Sequence, residues 1–92
     1  MSEKKAVVSV IGKDQIGIIA RVTNILADHQ INILDISQTI LQDFFTMMML
    51  VDLSRSKENV DEVRKKLDEL GDNLGLQIHL QLEDIFKAMH RI

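Results

Sequence analysis

Residues 44 to 53 read F-F-T-M-M-M-L-V-D-L, ten positions whose apolar side chains fall on both faces of an extended chain. A strand built this way has two faces that avoid water. Either it is central and covered twice, or one face is covered within the chain and the other meets a partner. The flanking segments decide how much cover a chain of 92 residues can supply.

Ala6 to Ile11 is a β-branched apolar run that stops at Gly12, the pattern of a buried central strand. Asp14 stands where a helix cap is needed, and the spacing predicts a helix from about Ile16 to His29. At 100° per residue its apolar positions span an arc of roughly 220°, far wider than one core contact requires. Only Arg21, Asn24 and Asp28 form a clear polar stripe, so this helix is expected to be buried on more than one side. Asn32 to Leu41 alternates in part, with Leu34, Ile36 and Ile40 opposite Asp35, Ser37 and Thr39, which predicts a strand with one dry face. Gln42-Asp43 separates it from the 44 to 53 run, and the two strands are expected to form an antiparallel hairpin.

Ser56 is a candidate cap for a second helix, in which Val60, Val63, Leu67, Leu70 and Leu74 lie within an arc of roughly 80°. Gly71 and Gly75 bracket its end. Leu76, Ile78, Leu80 and Leu82 then alternate with Gln77, His79, Gln81 and Glu83, giving a half-exposed last strand. The closing E-D-I-F-K-A-M-H-R-I, with Ile85, Phe86, Met89 and Ile92 as its apolar positions, is predicted to form a short C-terminal helix that needs a docking surface. The order β-α-β-β-α-β, without linker or repeat, predicts one α+β domain over 1–92: a ferredoxin-like two-layer sandwich with a four-stranded antiparallel sheet and both helices on one face. Such a plan leaves the other sheet face bare.

Composition narrows the function. A net charge of −3, with Lys13, Arg21, Arg64, Lys65 and Lys66 interleaved among acids, offers no basic face for nucleic acid. No cationic start leads into an apolar segment, so neither secretion nor membrane insertion is expected, and the predicted location is cytoplasmic. Cysteine is absent, which removes disulfides and thiolate chemistry. His29, His79 and His90 lie on three different elements without metal-ligand spacing, and no metal or cofactor is implied. Ser9, Ser37, Thr39 and Thr46 are strand residues with no histidine beside them, so no catalytic group is identified and the chain reads as a non-enzyme. The Asp61-Glu62 and Asp68-Glu69 pairs suit a solvated helix surface. Met47, Met48 and Met49 suit core and interface packing, because alternation sends them to opposite faces.

The strand followed by G-K-D-Q-I-G, then a helix ending in L-A-D-H-Q-I-N-I, resembles the opening of ACT domains, the small-molecule-sensing modules of amino-acid metabolism. D-I-S-Q-T-I, the Phe-Thr-Met-Met run and the closing I-F-K-A-M-H-R-I extend the resemblance over essentially the whole chain. They bring it nearer to the single-domain UPF0237 proteins, which are also similar to the glycine cleavage system repressor. The resemblance implies a ligand pocket formed by Gly12, Lys13, Asp14, Gln15, Ile16 and Gly17 together with Asn32, Ile33 and Leu34, often where two chains meet. It implies an amino acid or similar small carboxylate as ligand.

Two readings of the loop stand side by side. Unpaired backbone amides at a helix start, with Lys13 nearby, can hold an anionic group. Equally, Asp14 and two glycines can simply turn a strand into a helix. The loop lacks the spacing of a nucleotide-phosphate loop. The apolar arc of the first helix, the doubly apolar third strand and the bare sheet face predict a homodimer or higher homo-oligomer. The alternative is a protein-interaction module without a ligand, docking on a metabolic enzyme or regulator.

Overall fold

A computed structural model describes residues 4–56 and 59–82; the expected C-terminal helix lies outside them. The elements are β1 (Lys5–Lys13), α1 (Ile18–Asp28), β2 (Asn32–Leu41), β3 (Phe44–Asp52), α2 (Val60–Leu74) and β4 (Gln77–Leu82). All pairings are antiparallel, in the order β2-β3-β1-β4. This is the ferredoxin-like βαββαβ arrangement expected from the pattern.

β1 and β3 occupy the centre because they carry the apolar rows that the helices cover. Val8 and Val10 on β1, Met47 and Met49 on β3, and Ile78 and Leu80 on β4 are buried against Val22, Leu26, Val63 and Leu67. α2 lies against β4, and α1 lies beside α2. β3 is central but covered on one face only: Phe45, Met47, Met49 and Val51 are buried beneath the helices, and Phe44 and Met48 on the other face remain exposed.

Several local expectations are corrected. α1 begins at Ile18 rather than Ile16, and Asp14 does not cap it; the cap residue is Gly17, at φ 88°, with no side-chain bond. Asp14 instead donates its backbone N–H to the Asp43 carbonyl (2.7 Å), so the loop is pinned to the hairpin turn. A left-handed residue there costs an ordinary side chain about 1–2 kcal/mol, which glycine avoids. The α1 surface is less buried than its composition suggests: Ile18, Val22 and Leu26 are buried, whereas Ile19 is exposed and Ile16, just before the helix, is 99% exposed. α2 is capped by Asn59, whose Oδ1 accepts the Glu62 N–H (3.0 Å), and not by Ser56.

Gly12 does not end β1; the strand runs through it to Lys13. A Cβ at this position would overlap Leu76 Cδ2 and sit 3.2 Å from Leu76 Cα, so the glycine makes room for the start of the last strand.

The largest departure is β2. Its pairing with β3 places Ile36, Gln38 and Ile40 opposite Met49, Met47 and Phe45, all buried, so this row faces the helix layer. Nevertheless every β2 residue except Ile33 is exposed. The expected dry face is present in the residues and missing in the cover, because β2 lies at the sheet edge, beyond the reach of the helices. A bulge at Leu34, where the register steps from Ile33 to Asp35, further kinks this edge.

Candidate functional site

The loop between β1 and α1 forms one wall of an open cleft of about 510 Å³. Asp14, Gln15, Gly17 and Ile19 line it from the loop and first helical turn, and Gln38, Ile40 and Phe45 close it from the sheet. The first turn of α1 contains no acidic residue, and its leading amides have no intrahelical acceptor, so the positive end of the helix dipole faces this space. Gln15 holds the loop in place: its Nε2 donates to the Leu74 carbonyl at the end of α2 (2.9 Å) and to the Lys13 carbonyl (3.4 Å). Gln15 thus uses its amide nitrogen for architecture and keeps its amide oxygen available.

At the opposite end of the sheet a second cleft, about 600 Å³, is lined by Gln30, Ile31, Asn32, Asp52 and Arg55. Asp52 accepts the Ser54 N–H (2.9 Å), and this bond holds its carboxyl below the usual carboxylate range. His29, nearby in sequence, is buried and bonds the Ile25 carbonyl through Nδ1 (2.8 Å), which makes it part of the helix end. His79 lies on the exposed side of β4.

The residues singled out from the sequence fall into two groups. Gly12 to Gly17 gather at the loop end, while Asn32, Ile33 and Leu34 begin β2 at the other end. The register measures their separation: Lys5, Asp52 and Asn32 share one row, and Lys13, Phe44 and Leu41 share another. Those rows are eight residues apart on β1, roughly 26 Å at about 3.3 Å per residue. One chain alone does not bring the two groups together. The sheet-side wall of Gln38, Ile40 and Phe45 was not singled out from the sequence. A signal was present, since Gln38 is a polar residue inside the otherwise apolar row of Ile36 and Ile40.

Among the described residues no group of three or more His, Asp or Glu could hold a metal ion, and no helix is long and apolar enough to cross a membrane.

An antiparallel βαββαβ sheet with an open cleft beside its first loop is shared by many proteins, and the family is decided by a direct match: residues 4–81 fit the ACT domain family model. The chain belongs to the ACT domain family. It is 57% identical to a UPF0237 protein of Clostridium acetobutylicum over 88 residues, covering 96% of this chain and 99% of that one. An ACT domain protein from Streptococcus pneumoniae superposes with a TM-score of 0.79 at 38% identity, over 94% of this chain and 97% of the other. The regulatory subunit of aspartate kinase from Thermus thermophilus, in ligand-free form, superposes with a TM-score of 0.66 at 25% identity, over 85% of this chain and 50% of that one.

Proposed function

We propose that this ACT domain is a non-enzymatic regulatory module that pairs with a second copy along β2 and binds an amino acid or similar small carboxylate in the site so completed. The observation that carries the reading is β2 itself. It is a ten-residue edge strand with an apolar helix-side row, no proline and no lysine, yet it is exposed nearly throughout. Natural edge strands of this length are normally shortened, charged or covered.

Antiparallel pairing of β2 with its two-fold mate supplies the missing cover, because Ile36 and Ile40 of one chain then lie beside those of the other on the helix side. The same operation reverses one strand relative to its neighbour. Residues 32–34 of the partner therefore run alongside residues 40–42, next to the cleft walled by Gln38 and Ile40. The two groups that stand roughly 26 Å apart in one chain become neighbours across the pair.

The chemistry of the cleft suits a zwitterion. The ligand carboxylate would meet the free amides of the first α1 turn, and its ammonium group would meet Asp14. Output requires that the ligand bind the paired and unpaired states, or two arrangements of the pair, with unequal affinity. Gln15 offers the mechanical link, since the loop it holds is tied to the end of α2.

Calorimetry of the full chain against the free amino acids tests the binding claim. Saturable heat with at least one of them, reduced by Asp14→Ala, is expected. Absence of heat across the panel would leave the loop a turn and favour a module that acts through protein contacts alone.

A further inference from the structure

The cleft beside the first loop carries little charge. Among the described residues that line it, the Asp14 carboxylate is the single formal charge. Lys13 is not part of the lining: it pairs with Phe44, so alternation turns it to the sheet face away from the helices. The cation that does approach the loop is Arg21. Helical side chains lean toward the N-terminus of their helix, and Arg21 reaches back one turn until its Nε lies 3.7 Å from where a Cβ on Gly17 would stand.

One anion and one cation, together with the amides at the α1 start, match the two charges of a free α-amino acid. No charge is left over for its side chain. A second carboxylate would stand near Asp14 without a counter-ion, and a second ammonium group would find only the amide oxygens of Gln15 and Gln38. Asn32, Ile33 and Leu34, which a second copy would bring to the cleft, are uncharged as well. The rest of the lining is apolar. Ile19 of α1 and Ile40 of β2 both border the space and remain 37% and 52% exposed, and Phe45, which pairs with Ile40, completes that wall. Exposed apolar surface in a concave site is covered most favourably by hydrocarbon.

We infer that the ligand is an α-amino acid with an uncharged aliphatic side chain seated on Ile19, Ile40 and Phe45, and that Arg21 is the partner of its carboxylate. This rests on the amino-acid-binding reading proposed above and narrows it to one class of side chain. Complete burial of one methylene raises affinity about fourfold. Leucine adds four carbons to glycine, and burying half of that surface in a cleft open to solvent gives leucine an advantage of about fifteenfold.

Calorimetry on the full chain with glycine, alanine, valine, leucine, aspartate, glutamate and lysine as probes tests the inference. Affinity is expected to rise from glycine to leucine by about fifteenfold, with aspartate, glutamate and lysine at least about tenfold weaker than leucine. In Ile19→Lys the order is expected to reverse, glutamate overtaking leucine, a gain that an unfolded variant cannot produce. Arg21→Gln is expected to weaken every member of the uncharged series by a similar factor. In the wild type, a charged side chain bound more tightly than leucine, or equal affinity from glycine to leucine, overturns the inference and leaves amino-acid binding in place. An unchanged order in an Ile19→Lys variant that melts normally by circular dichroism overturns the seat on Ile19, and full affinity in Arg21→Gln overturns the role of Arg21. Heat with none of the probes is a separate outcome: it overturns the binding reading itself, and this inference with it.

Discussion

The two edges of this sheet are built on opposite principles. β4 is six residues long, alternates cleanly, buries Ile78 and Leu80 beneath α2, and has a guanidinium seated on its Leu80 carbonyl. β2 is ten residues long, carries four large apolar side chains that remain exposed, and has at its bulge only the Asp35 carboxylate accepting the Ile36 N–H (2.8 Å). One edge is finished within the chain. The other has the residues of a half-buried strand and none of the cover, which the proposed pairing with a second copy would supply. The difference teaches that an apolar row without cover carries as much information about assembly as a buried row carries about the core.

The sharpest way to break the contrast is to give β2 the protection that β4 has. Ile36→Lys places a cation in the exposed apolar row and removes an isoleucine from the proposed inter-chain contact, a loss of about 2–3 kcal/mol per subunit when that side chain would otherwise be buried. The expected outcome is dissociation to single chains at micromolar concentration in light scattering, with the thermal midpoint of a very dilute sample nearly unchanged. The reverse change is Arg64→Ala, which strips β4 of its guard. Losing charge-assisted bonds to Leu80 is expected to destabilise the chain by about 1.5–3 kcal/mol in urea titration and to raise its tendency to aggregate through that edge.

A smaller effect reaches the same edge indirectly. Asn59→Ala removes the cap of the helix that carries Arg64, for an expected loss of about 1 kcal/mol in the same titration, with no change in assembly mass. The smallest concerns the β2 end of the hairpin. The bond from the Ser54 amide depresses the Asp52 carboxyl in the folded chain, so its contribution is present above the ordinary carboxylate pKa and is lost as pH falls through the depressed value. Thermal midpoints measured from pH 5 downward should therefore fall more steeply for the wild type than for Asp52→Asn.

Much of this fold was legible because it is written in local periods. The β4 alternation, the α2 stripe, the Gln42-Asp43 turn and the Gly75 end of α2 each depend on neighbours within a few residues. What could not be read was non-local. The start of α1 is set by the Asp14 bond to Asp43, nearly thirty residues away, and by a left-handed glycine where a side-chain cap was expected. The place of Gly12 follows from Leu76, just before β4 and more than sixty residues along the chain. The exposure of β2 is non-local in a stronger sense, since its alternation describes an environment that one chain does not contain. The candidate site shares this property. Its loop group and its β2 group were named together from a resemblance, while the register of a single chain holds them at opposite ends of the sheet.

Amide hydrogen exchange on residues 32–41 of the full chain tests the central claim most directly, because half of the amides of an unpaired edge strand have no acceptor within the chain. Edge pairing predicts that β2 exchanges as slowly as β3 at micromolar concentration, and that its outward amides become fast on dilution or in Ile36→Lys. Fast exchange of those amides in the wild type, independent of concentration, would contradict it.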